Sequence, residues 1–194
     1  MGNTSRAGTI GRVASIAMYI WIAIAAALIG TTATVIAGDP AFAAALQPIA
    51  SVSILFLIVC GILFFVWSYQ AMSVAHELTP TLTISPGWSI GWYFVPIATL
   101  WKPYEAMREI WQGSASNNEA AAHAPLIGWW WAAWIGRGIL GGVAGVLARE
   151  SPEFSLMCVV AATTSGIAAA VLLTMVIGRV NRMQAGAINV SIFD

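Results

Sequence analysis

Ionisable side chains are what this sequence has least of. Asp, Glu, Lys and Arg make up only 8% of its 194 residues, eight of each sign, where a soluble domain carries about a quarter. Hydrophobic residues reach 59% and the mean hydropathy is +0.82. A chain this short cannot hide so much apolar surface in one water-facing core, because small domains leave a large fraction of their surface exposed. Lipid is therefore the expected solvent, which excludes a soluble enzyme, a secreted disulfide scaffold and a disordered regulator. The zero net charge offers no basic stripe to neutralise phosphates, so no nucleic-acid partner is expected. Cysteine is scarce as well. Cys60 and Cys158 sit in apolar runs without any ligand spacing and read as small apolar fillers. The two histidines, His76 and His123, lack a metal or haem spacing, so no metal and no cofactor is expected. No triad, zincin, P-loop or dinucleotide motif is present, and the chain does not read as an enzyme.

What is abundant is long apolar sequence. A membrane-spanning helix needs about 20 apolar residues, and four runs qualify, at residues 13–36, 49–75, 126–148 and 154–178. The first resembles a secretory leader in its preceding Arg6 and Arg12 and in Ala41-Phe42-Ala43, but it far exceeds the roughly 7–15 residues of a leader's apolar region. It is expected to stay as the first span. With four spans, one side of the membrane collects Arg6, Arg12, Lys102, Arg108, Arg179 and Arg182, and the other only Arg149. Six against one places both termini in the cytoplasm, for a multi-pass membrane protein forming a single domain over 1–194.

A fifth apolar piece, residues 84–101, reads ISPGWSIGWYFVPIATLW. If it spanned, the positive bias would vanish. It is expected instead as a re-entrant or interfacial segment, packed against the bundle because irregular backbone at membrane depth needs protein or water around it. The inserted region extends to residue 112. There Pro103 suits the start of a helix, Tyr104, Met107 and Trp111 share one face, and Glu105, Arg108, Glu109 and Gln112 the other. That is the pattern of a helix lying in the headgroup plane. Residues 113–122 read as a flexible cytoplasmic loop.

Several of these residues form a recognisable block. Gly87-Trp88, Gly91-Trp92, Phe94-Val95-Pro96-Ile97, Leu100-Trp101-Lys102-Pro103-Tyr104 and Glu109-Ile110-Trp111 resemble the signature of a bacterial membrane family catalogued as domain of unknown function 4328. Phe65-Val66-Trp67-Ser68-Tyr69-Gln70 resembles that family's end of its second helix, and Arg179 and Gln184 its closing residues. The resemblance covers residues 63–184 and implies four hydrophobic helices with the block between the second and third. It implies no activity. Thr99 stands where the family usually has Asn, and Gln70 where it often has Arg; a function depending on that Asn would be altered here.

Three sets of residues are candidate sites. Trp88, Trp92, Pro96 and Trp101, with Lys102, Tyr104 and Arg108, form either a lipid or partner site or an interfacial aromatic belt. Arg137 is the one ionised residue inside a span, with Thr163, Thr164 and Ser165 as candidate hydroxyl partners. It is read either as a functional residue or as a side chain that snorkels back past Trp129, Trp130, Trp131 and Trp134. Gly138, Gly141, Gly142 and Gly145 make two overlapping GxxxG pairs, expected to serve helix packing within the bundle ahead of dimerisation. The function expected is a non-enzymatic module binding lipid, a membrane protein partner or a second copy. The alternative is a subunit of a small transporter or channel with Arg137 on a polar path.

Overall fold

The computed structural model describes residues 2–39, 42–115 and 124–190, and all regular structure among them is helical. In chain order the elements are α1 (Gly2–Ile36), α2 (Ala43–Leu78), the single turn α3 (Trp88–Gly91), two 3₁₀ turns at Trp92–Phe94 and Ile97–Leu100, α4 (Lys102–Ser114), α5 (Ala124–Leu147) and α6 (Pro152–Val190). Local chemistry sets the ends. The α1 helix stops at Gly38, whose φ of +91° costs a glycine little and whose N–H donates to Val35 O at 3.0 Å. The α2 helix ends before Thr79-Pro80, because the residue before proline is pushed out of helical backbone. Pro152 opens α6 at a position where its missing N–H costs nothing. The long helices run past the apolar runs: α1 begins at residue 2 where the sequence suggested 13, and α6 continues to 190 beyond the expected 178. Within these polar extensions nothing breaks the helix, and hydroxyls such as Thr9 Oγ1 donate to their own backbone, here Ser5 O at 2.9 Å.

Three helical stretches are long and apolar enough to cross a membrane: Thr4–Ile36, Ala43–Leu78 and Pro152–Ala187. The 24-residue α5 reaches about 36 Å, long enough to span. Its apolar character is diluted by Arg137, four tryptophans and six glycines, so the fourth expected span does not join the other three.

The chain divides into two compact units, and each of α1, α2, α5 and α6 contributes to both. The first unit comprises Met1–Ile16, Gly61–Gly128 and Leu172–Asp194; the second comprises Ala17–Cys60 and Trp129–Val171. In the first, the buried side chains include Trp67, Met72, Val74, Met107, Ile110, Trp111, Ile127, Val176, Ile177 and Val180. The apolar face of α4, read from sequence as lying on the membrane, is part of this core. Ala106, Met107, Ile110 and Trp111 are buried within the protein, while Arg108 and Gln112 are exposed. The amphipathic pattern is the same for either use, because periodicity reports an apolar face and not what covers it. Gly113 and Ser114, expected in a loop, are the buried end of α4; 116–123, including His123, lie outside the described residues.

The second unit buries alanines beside a few large side chains, Trp130 and Trp131 among them, and keeps its exterior apolar. Ala17, Met18, Trp21, Ala25, Leu28, Ala144, Ala162 and Ala169 are buried, while Tyr19, Ile20, Ile54, Leu55, Ile58, Trp129, Ile139, Val146 and Phe154 are exposed. Small residues inside let helix backbones approach, and large apolar ones outside suit a hydrocarbon solvent.

Candidate membrane-interface site

The first unit carries the Trp/Pro block, and polar side chains from its own turns and from α2 and α4 hold it and the segment before it in place. The Glu109 carboxylate on α4 accepts from Thr83 N at 3.0 Å, Ile84 N at 2.8 Å and the Thr83 hydroxyl. His76 Nε2, near the end of α2, lies 2.9 Å from Ile84 O; since a carbonyl only accepts, that nitrogen carries the proton. Thr79 Oγ1 donates to Gly113 O at 3.3 Å, and Ser89 Oγ to Pro86 O at 2.7 Å. These bonds satisfy N–H and C=O groups that the irregular backbone leaves without helical partners, the Ile84 pair partly buried.

Two further ties close the unit. Gln184 of α6 is fully buried and its Nε2 donates both to Ala71 O at 2.8 Å and to Ser114 Oγ at 2.9 Å, joining α2, α4 and α6. Trp67 Nε1 donates to Asn181 Oδ1 at 3.0 Å. Two glycines make room. A Cβ on Gly113 would lie 2.7 Å from Leu82 Cδ1 and 3.0 Å from Ala75 Cβ, and one on Gly11 would strike the Asn181 amide and come within 2.9 Å of Ile177.

Held this way, the block presents its rings in two directions. Tyr93 packs inward on Phe64 and Phe65, with ring centroids 5.8 and 5.1 Å apart; burial pushes its phenol pKa up, so it stays neutral. Trp88 and Trp92 stack at 4.4 Å, and Lys102 Nζ sits 5.7 Å from the Trp92 ring. Outward stand Trp88, Phe94, Ile97, Leu100 and Trp101, all exposed, with Phe94 and Ile97 above 70%. Trp101 makes no ring contact with the stacked pair among the described residues. Lys102 is bonded to Glu105 at 2.6 Å, which spends much of its charge. Arg108 lies 5.7 Å from the Tyr104 ring and has no ion pair among the described residues. Pro96 sits between the two 3₁₀ turns and keeps them from merging into one helix. A shallow apolar groove of about 310 Å³ adjoins the block, lined by Ile62, Phe65, Val66, Tyr69, Gln70 and Ile90. Gln70 Oε1 and Trp92 Nε1 are buried without a partner among the described residues.

The sequence-derived set is thus brought together only in part. Trp88, Trp92 and Lys102 form one cluster, Tyr104 and Arg108 another, and Trp101 stands apart. Sequence reasoning did not mark Glu109, His76 and Gln184 as the residues that tie the block down, although Glu109 and Gln184 belong to the family-like block and closing residues. Only Gln184, between Met183 and Ala185, carried the signal of a polar side chain among apolar neighbours; Glu109 beside Arg108 and His76 beside Glu77 did not.

In the second unit the expected hydroxyl partners of Arg137 turn elsewhere. Thr163 Oγ1 donates to Val159 O at 2.7 Å, Thr164 Oγ1 to Val160 O at 2.9 Å and Ser165 Oγ to Ala133 O at 2.8 Å. The two threonines reach a carbonyl one turn back in α6, as helical hydroxyls commonly do, whereas Ser165 crosses to α5. Arg137 instead lies over the Trp21 ring, Cζ 5.6 Å from its centroid. The expected packing role of Gly138, Gly141, Gly142 and Gly145 within the chain is also not met: a Cβ on any of them meets nothing within 4 Å. The close approaches are made at Gly136 and Gly166, on the other side of α5 and on α6.

These features define a helical membrane protein with an aromatic segment folded on polar ties. The sequence profile of the family described as domain of unknown function 4328 (DUF4328) matches residues 5–185, and the chain belongs to that family. No curated protein and no solved structure matches the chain significantly.

Proposed function

We propose that the protein is a non-enzymatic, four-span module of a bacterial inner membrane, both termini cytoplasmic, whose Trp/Pro block docks on the anionic lipid surface. The observation that carries this reading is the exposed row Trp88, Phe94, Ile97, Leu100 and Trp101 on a backbone tied from within, with Arg108, which has no ion pair among the described residues, on α4 beside Tyr104. Large apolar side chains set beside a cation suit the boundary between acyl chains and headgroups. The α5 helix serves as the fourth span: its length suffices, and four spans alone preserve the six-to-one distribution of Lys and Arg.

The test is lipid retention. Arg108→Ala should lower the anionic lipid that co-purifies in neutral detergent about fivefold, as about 1 kcal/mol per basic residue at a charged surface implies. The loss should shrink in high salt, where surface charge is screened. Equal retention by wild type and Arg108→Ala at low salt overturns the reading. Reporter fusions at residue 117 and in 42–47 check the threading, with the cytoplasm expected for the first and the outside for the second.

A further inference from the structure

The second unit holds a cation that no side chain among the described residues neutralises. Arg137 lies near the middle of α5, and its guanidinium carries five N–H donors. Among the described residues it makes no hydrogen bond and no ion pair, and its one charge-recognising contact is with the face of Trp21. That contact is built. Trp21 on α1 is 3% exposed and pinned by its Nε1–H to Ser53 O of α2 at 3.1 Å. Gly166 on α6 supplies the space: a Cβ there would sit 2.9 Å from Arg137 Cδ and 2.9 Å from the Trp21 ring. Helices α1, α2, α5 and α6 thus shape one seat for one side chain.

An aromatic face attracts a cation but accepts none of its in-plane hydrogen bonds. The nearby hydroxyls of Thr163, Thr164 and Ser165 already donate to backbone carbonyls. The eight carboxylates of the chain are Asp39, Glu77, Glu105, Glu109, Glu119, Glu150, Glu153 and Asp194, and none falls within twelve residues of Arg137 or inside the apolar parts of α1, α2 and α6. Charges at membrane depth are retained where something pairs with them, so the partner comes from outside the chain.

We propose that Arg137 is the cation of an oxyanion site in the second unit, with the Trp21 ring as its floor, and that it takes a carboxylate or phosphate group from a ligand. A planar fork of donors matches the paired oxygens of either group. The site rests on the four-span part of the proposed function, which puts Arg137 at membrane depth, and it shares no residue with the Trp/Pro block.

The experiment uses the full chain in neutral detergent and follows thermal unfolding with sodium decanoate or with inorganic phosphate at matched ionic strength. A ligand that binds the folded state raises the midpoint as its concentration rises. Wild type should show such a rise with at least one of the two, and Arg137→Gln should show none. A rise with decanoate alone assigns a lipid-borne acid, and a rise with phosphate assigns an aqueous oxyanion. Absence of any rise in wild type, or an equal rise in Arg137→Gln, overturns the proposal. If Arg137→Gln does not fold, Gly166→Ala, which keeps the charge but fills the seat, replaces it: loss of the rise supports the site, and an undiminished rise overturns it. Arg108→Ala should keep the full response, so failure of the interface reading and failure of this one remain separable.

Discussion

The two units solve the same problem in opposite ways. In the first, backbone leaves the helix over residues 79–101, and named polar side chains catch it: Glu109, His76, Thr79 and Ser89, with Gln184 bonding across three helices. In the second, long regular helices satisfy most of their own backbone bonds, single side-chain bonds such as Trp21 Nε1 to Ser53 O and Ser165 Oγ to Ala133 O link them, and alanines pack beside Trp21, Trp130 and Trp131 with close approach at Gly136 and Gly166. Irregular backbone therefore needs specified polar partners, whereas regular helices need only compatible surfaces. Arg137 is the one ionised side chain inside the apolar runs of that unit, which is why it stands out as a site.

The contrast is broken most forcefully at Gly113. Leucine there would drive into Leu82 and Ala75, and we expect it to cost about 3 kcal/mol, the upper end for overpacking, read as a lowered unfolding midpoint in detergent. Glu109→Ala should cost about 2 kcal/mol, because the N–H groups of Thr83 and Ile84 lose their acceptor. It should also open residues 79–87 to protease, and Glu109→Gln, which keeps an acceptor, should restore part of the protection. Gln184→Leu should cost a similar amount by unlinking α2, α4 and α6. Lys102→Ala should reduce anionic-lipid retention less than Arg108→Ala does, since Glu105 already engages the ammonium. The smallest effect belongs to the second unit. Gly142→Leu adds a side chain into open space and should change the chain's own stability by less than about 0.5 kcal/mol. A large loss there would show that the exposed glycine face is covered in the membrane.

Much of the fold was legible beforehand because bilayer thickness and helical rise leave little freedom to a long apolar run. The existence of the long helices, the interruption at residues 79–101 and the start of α4 at Lys102-Pro103 all follow from composition and proline placement. The environment of α4 did not follow. Met107 and Trp111 mark an apolar face, and whether lipid or protein covers it depends on what α2 and α6 bring alongside. The hydroxyls near Arg137 misled for a related reason: Thr163, Thr164 and Ser165 lie at suitable positions along α6, but each found a backbone carbonyl.

By itself the sequence determined that this is a membrane protein, where its helices run, and that one arginine lies within an apolar helix. These are one-dimensional properties, set by hydropathy and length against a solvent of fixed thickness. Only the tertiary structure decided which glycines allow contact, that Gly11, Gly113 and Gly166 are crowded while Gly138, Gly141, Gly142 and Gly145 are open, and which polar groups hold the aromatic block. Those choices depend on distances between residues far apart in the chain, such as Gln184 and Ala71. Local propensity carries no information about such pairs, because their energies exist only once the helices have been brought together.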